Sequence, residues 1–172
     1  MRVFLTGFMG SGKSSLGKRV ARLLNLKFID LDKLIEERCR TSIPLLFDRY
    51  GEEVFRMMEQ RYLHEIVSDH CLIAVGGGTP CFFDNMEFMK RNGLVVWLNP
   101  PKDELVKRLS ETKKNRPLLQ GKDVDAIRKA VEEKLNERIQ YYSQAHLVID
   151  DVSPVPEKVA ELIKNLNLTK HG

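Results

Sequence analysis

Cysteine is scarce in this chain, and the few present form no framework. The 172 residues hold three cysteines, Cys39, Cys71 and Cys81, with no CxxC pair and no Cys/His ligand spacing. An odd, scattered set argues against a disulfide scaffold or a structural zinc site and points to free thiols in a reducing cytosol. Long apolar runs are also lacking. The longest are of strand length, which excludes a membrane-spanning helix. The first residues read as a strand and Lys13 interrupts any apolar run, so no signal peptide is expected. Charge of one sign is in slight excess only: 28 basic against 24 acidic side chains give +4, without a dense basic run. Nucleic acid is not needed to explain that balance, and a small anionic substrate explains it as well.

What the chain does have is a phosphate-binding loop. Gly7-Phe8-Met9-Gly10-Ser11-Gly12-Lys13-Ser14 reads G-x-x-x-x-G-K-S. It follows a short apolar strand, Arg2 to Thr6, and opens an amphipathic pattern with Leu16, Val20, Leu23 and Leu24 on one face. Glycines let backbone N–H groups turn inward around phosphate oxygens, and the start of a helix favours an anion. Lys13 can reach the β- and γ-phosphates of a nucleotide, and the Ser14 hydroxyl can ligate magnesium.

Further strand patterns span Lys27 to Asp30, Cys71 to Val75, Leu94 to Leu98 and His146 to Ile149. Helical periods lie between them. The longest runs from Glu52 to about Asp69, and another from Val124 to Tyr142 carries Ile127, Val131, Leu135 and Ile139 four apart. Pro154 and Pro156 suit the start of a last helix. Alternating strands and helices imply an α/β fold: one parallel sheet of about five strands, covered by helices on both faces. There is no internal repeat or linker, so residues 1–172 are expected to form a single domain. The polar segment from Thr112 to Asp123, with Arg116-Pro117-Leu118-Leu119 at its centre, is expected to be a lid, with an ordinary exposed loop as the alternative.

Two acids close the second strand, in Asp30-Leu31-Asp32. Ligands of an open parallel sheet bind outside the carboxyl ends of its strands, so both carboxylates lie near the phosphate loop. If the strand persists through Asp32, alternation puts them on one side. One would hold magnesium through its water shell and the other accept a proton, or Asp32 would merely cap a helix. Gly76-Gly77-Gly78 follows the third strand and permits close backbone approach to a ligand, or a tight turn. In Gly51-Glu52-Glu53-Val54-Phe55-Arg56-Met57-Met58-Glu59, Arg56 and Glu59 are three apart on a helix and can pair, which by itself suits a solvated surface pair.

Taken in order and spacing, GxxxxGKS, DxD, G-E-x-x-F-R-x-x-E, GGG and R-P-L-L make the chain resemble the shikimate kinases, over nearly its whole length. The resemblance implies a P-loop fold of the nucleoside-monophosphate-kinase-like type and transfer of the ATP γ-phosphoryl group to the 3-hydroxyl of shikimate. It implies that Gly10, Ser11, Gly12, Lys13, Ser14 and Ser15 hold the nucleotide phosphates, and that Ser14 and Asp30 serve Mg²⁺. Asp32 would bind the substrate hydroxyls and act as base, with Lys13 and the lid residue Arg116 completing the catalytic set. Arg56, steadied by Glu59, and Arg138 would bind the carboxylate, and Gly77 and Gly78 would contact the ring. Arg108 and Pro154 would flank the adenine. The family further implies a cytoplasmic monomer without nucleic-acid or membrane partners. A related small-molecule kinase, such as one acting on gluconate, and a non-catalytic nucleotide-binding switch are the competing readings.

Overall fold

The computed structural model describes residues 1–112 and 123–171. Arg116 and most of the expected lid lie outside them. Five strands form one sheet: β1 (Arg2–Thr6), β2 (Lys27–Asp30), β3 (Cys71–Ala74), β4 (Leu94–Leu98) and β5 (Leu147–Ile149). Their order is β2-β3-β1-β4-β5, and every pairing is parallel. Strands buried on both faces need near-continuous apolar sequence, which the wholly buried runs Cys71–Ala74 and Leu94–Leu98 supply.

Helices cover both faces. On one, α1 (Lys13–Leu23) and α7 (Pro156–His171) pack through Leu16, Val20, Val159 and Ile163 onto Val3, Leu5, Leu72 and Val96. On the other, α2 (Leu31–Cys39), α3 (Ile43–His64) and α4 (Asn85–Asn92) bury Ile35, Phe55, Leu63 and Met89 against Phe4, Ile73 and Val95. A third cluster joins Phe8 of the phosphate loop to α5 (Lys102–Thr112) and α6 (Val124–Tyr142) through Leu105, Leu109, Ile127 and Val131. The phosphate loop is thus fixed to the pair of helices that flank the segment carrying Arg116.

Three sequence expectations need correction. Leu23 does not share the buried face of α1; it is exposed, and Ala21 is buried in its place. The helix expected from Glu52 to about Asp69 starts there, but a further helical segment that opens at Ile43 precedes it. The two meet at Gly51, whose φ of 78° and ψ of 171° interrupt the helical path, and the second ends at His64. Only glycine enters that left-handed region at little cost, so the two helical segments join there at a kink. Ile139 shares the four-residue period of α6 but is exposed, because the buried stripe is Ile127, Val131 and Tyr142. Among the described residues, no helix is long and apolar enough to cross a membrane.

Candidate active site

Strand order reverses direction about β1, whose neighbours are β3 on one side and β4 on the other. The crevice outside the carboxyl ends of these strands is where such sheets bind ligands. The phosphate loop leaves β1 there, with Gly7, Gly10 and Gly12 all at positive φ. A side chain at Gly7 would put its Cβ 2.4 Å from the Leu98 carbonyl oxygen, so β4 itself demands glycine at that point. Lys13 is the first residue of α1, and its Nζ donates to the carbonyls of Gly7 (2.7 Å) and Phe8 (3.0 Å). The loop holds its ammonium across its own mouth.

Beside the loop, Ser14 Oγ donates to Asp30 Oδ2 at 2.6 Å. The second strand does not persist through Asp32. It stops at Asp30, which is the N-cap of α2 and accepts from the Lys33 N–H at 3.3 Å. The capping expected as an alternative for Asp32 therefore falls to Asp30. Asp32 lies in the first turn of the helix instead, and helical rotation rather than strand alternation brings it inward. Its carboxyl is pushed up from 3.8 to about 6, first by burial, then by the Glu59 carboxylate, with Asp30 and Glu36 adding to the rise and Lys13 opposing it. A carboxylate with that affinity for protons suits proton transfer near neutrality.

The expected pairing of Arg56 and Glu59 is formed, but it is not a surface pair. Glu59 is 1% exposed, and its Oε2 accepts from Arg56 Nη1 at 2.8 Å while Oε1 accepts from Thr79 Oγ1 at 2.5 Å. Glu52 Oε1 takes a second contact from Arg56 at 3.1 Å. Three rings surround the guanidinium carbon: Phe82 at 4.3 Å, Phe55 at 5.3 Å and Phe47 at 5.8 Å from their centroids. Such faces favour a cation with little water around it. Arg138, half-buried on α6, stacks over the Phe8 ring at 5.4 Å.

The glycine triplet lies between these groups. A Cβ on Gly76 would come within 2.7 Å of Glu59 Oε1 and 3.0 Å of Asp32 Oδ1. On Gly78 it would meet Arg56 Nη2 at 2.6 Å, and on Gly77 it would lie 3.4 Å from both Arg138 Nη1 and the Gly7 carbonyl oxygen. Close approach, not turn geometry, is what these positions require. Asp32, Arg56, Arg138 and the phosphate loop therefore converge around one backbone segment.

On the far side of the loop, Arg108 Nη1 donates to the Gly10 carbonyl at 3.3 Å and Nη2 to the Val152 carbonyl at 2.5 Å, while Glu104 pairs with Nε at 2.7 Å. Arg108 and Pro154 border a cleft of about 580 Å³ that also includes Gly10, Ser11, Gly12 and Ser15. Thr79, Phe82 and Tyr142 escaped the sequence reading. Thr79 and Phe82 follow the glycine triplet closely, but no motif marks them. Tyr142 stands four residues after Arg138, one helical turn away, and that spacing was the available signal.

Fold and site define a class: a P-loop α/β protein of the nucleoside-monophosphate-kinase-like type, with Asp32, Arg56 and Arg138 gathered around the glycine triplet beside the phosphate loop. Within that class, a family model described as Shikimate kinase matches residues 9–167. The chain is 46% identical over 151 residues to a shikimate kinase of Bacteroides thetaiotaomicron, covering 87% of this chain and 86% of the relative. A crystal structure of shikimate kinase from the same organism superposes with a TM-score of 0.90 at 41% identity, over 98% of both chains. A shikimate kinase of Acinetobacter baumannii, solved in complex with shikimate, gives a TM-score of 0.86 at 33% identity, over 98% of this chain and 93% of that one. The chain belongs to the shikimate kinase family.

Proposed function

We propose that this chain transfers the γ-phosphoryl group of ATP to the 3-hydroxyl of shikimate, giving shikimate 3-phosphate and ADP. The observation that carries the reading is the meeting of Asp32, Arg56 and Arg138 around Gly76–Gly78, with Lys13 near enough for its charge to act on Asp32. A family whose relatives are named shikimate kinases supplies the substrate.

Arg56 and Arg138 bind the shikimate carboxylate from two separate helices, which fixes its orientation as well as its position. Gly77 and Gly78 bring backbone against the ring. Asp32 accepts the proton of the attacking hydroxyl as the new O–P bond forms and the bond from the γ-phosphorus to the ADP oxygen breaks. The loop N–H groups and Lys13 neutralise the phosphates, and Arg116 adds positive charge at the transferred group. Arg108 and Pro154 border the adenine.

Ser14 and Asp30 offer a hydroxyl and a carboxylate at 2.6 Å from each other, both hard oxygen donors. Among the described residues there is no cluster of three or more metal-ligating side chains. A pair of oxygens fits Mg²⁺, which keeps several waters and shares substrate phosphates. Bound there, it would offset charge on the β- and γ-phosphates. We place the enzyme in the cytoplasm as a monomer on the family resemblance alone.

The test is ADP release with ATP and Mg²⁺ against a panel of acceptors. Shikimate should stimulate release strongly and yield shikimate 3-phosphate, with gluconate giving little. Turnover on gluconate alone would reject the acceptor, and slow release indifferent to every acid would identify a nucleotide switch.

A further inference from the structure

Tyr142 is the last residue of α6 and is fully buried, with its ring 5.6 Å from that of Trp97 on β4. A buried phenol needs a partner for its hydroxyl. Tyr142 Oη donates to the Gly77 carbonyl at 2.5 Å. The Arg138 guanidinium, one helical turn earlier, is near enough for its charge to act on that phenol, and its Nη1 stands 3.4 Å from where a Cβ on Gly77 would lie. The phenolic oxygen thus fixes a backbone group of the glycine triplet beside a cation from a different element. Its single O–H is committed to Gly77. Burial pushes the phenol up to about 12, with the Arg138 charge opposing the rise, so the hydroxyl stays protonated and the donor persists at working pH.

The geometry has a consequence for the triplet. In a trans peptide, the Gly77 carbonyl and the Gly78 N–H point in opposite directions from one rigid plane. Anchoring the carbonyl on Tyr142 therefore sets the direction of the Gly78 N–H. Glycine has no side chain to limit peptide rotation, so an external anchor matters most there. Trp97 in turn limits the position of the Tyr142 ring.

We propose that Tyr142 is a positioning residue for the acceptor substrate, aiming the Gly77–Gly78 peptide beside the Arg138 guanidinium. The inference rests on the reading of Arg138 and the triplet as shikimate contacts. It adds a residue that touches neither nucleotide nor acceptor and yet sets affinity for one of them.

The experiment is steady-state kinetics on the full chain with Tyr142→Phe, Arg138→Ala and the double variant. Tyr142→Phe keeps the ring against Trp97 and removes only the hydroxyl. It should raise the KM for shikimate about tenfold, the upper end of what one buried hydrogen bond is worth, while KM for ATP and kcat stay within about twofold. Arg138→Ala should raise the shikimate KM further, and the double variant should lose less than the product of the two, because both act at Gly77, one beside it and one on its carbonyl. An unchanged shikimate KM in Tyr142→Phe beside a clear Arg138→Ala effect would overturn the inference and leave the carboxylate reading standing. A silent Arg138→Ala would overturn both. Equal rises in the two KM values with a lowered Tm would make Tyr142 a packing residue and overturn it as well. Should Tyr142→Phe not fold, 3-fluorotyrosine at position 142 keeps ring and hydroxyl. Its fluorine resonance should then shift on saturation with shikimate, and an unmoved resonance would overturn the inference.

Discussion

The two halves of the site are built in opposite ways. The phosphate half is contiguous: the eight residues Gly7 to Ser14, which follow β1 and run into the first turn of α1, provide the glycines, Lys13 and Ser14, and the ammonium is held by carbonyls five and six positions away. The acceptor half is assembled from four separated segments, the start of α2, the second part of α3, the triplet after β3 and the end of α6. Its charges are also more deeply buried, as Glu59 at 1% exposure shows. A loop that binds phosphate through backbone N–H groups needs only local geometry. A pocket that holds a carboxylate and a hydroxyl of one small ring needs groups aimed inward from several directions. The difference implies that the acceptor half is the one that damage elsewhere in the fold will reach.

The largest expected break falls on Asp32. Asp32→Asn should lower kcat by about 10²–10⁴-fold, the usual worth of a general base, with ATP affinity near that of the parent. The same change should alter stability in a defined sense. The carboxyl is raised from 3.8 to about 6 in the folded chain, so the fold binds its proton more tightly than the unfolded chain does. That stabilisation is complete below about pH 4 and is lost as pH rises through about 6. At pH 8 Asp32→Asn should therefore be more stable than the parent, on the order of 1–3 kcal/mol, and the gain should vanish near pH 4. Thermal melts at the two pH values check this. In the parent, kcat/KM should fall as pH drops below about 6, where Asp32 takes up its proton. Full turnover in Asp32→Asn, or a stability gain that is the same at both pH values, would remove Asp32 from the role of base.

Glu59→Ala is next, and it tests whether the acceptor half depends on its buried charge pair. Among the described residues, removing Glu59 leaves Arg56 with the more exposed Glu52 as its one carboxylate partner, at 3.1 Å, and takes away the acceptor of the Thr79 hydroxyl. The cost should be about 3 kcal/mol in denaturant unfolding, as for other broken buried pairs. Shikimate affinity should fall while ATP affinity in the variant that still folds changes little. Equal weakening of both ligands would show that the two halves are not independent.

Gly78→Ala sharpens the comparison with the smallest change. Gly78 has φ −91° and ψ −19°, which alanine adopts without strain. Any effect comes from the new Cβ, which would stand 2.6 Å from Arg56 Nη2. The guanidinium must shift, so KM for shikimate should rise about tenfold with a stability change under about 1 kcal/mol. Kinetics paired with a thermal melt measure both. A large stability loss with unchanged KM would mean that the triplet serves packing alone.

Much was determined by the sequence alone, and the reason is locality. The loop motif, the strand pattern from Leu94 to Leu98 and the helix from Val124 to Tyr142 all match the structure, because each depends on neighbours within a few residues. The same local rules missed the helical segment from Ile43 that meets the Glu52 helix at Gly51, and β2 gave way to α2 directly at Asp30, which became the cap that Asp32 had been offered. Composition and motif order carried the family resemblance, and with it the list of acceptor residues. What that list did not contain was their surroundings. That Arg56 and Glu59 are buried rather than solvated, that Phe47, Phe55 and Phe82 enclose the guanidinium, and that Asp32 is pushed up to about 6 follow from packing between segments far apart in the chain. Tyr142 is the clearest case. Its spacing from Arg138 was visible along the helix, but its hydrogen-bond partner, Gly77, lies 65 residues away, and only the parallel sheet brings the two together.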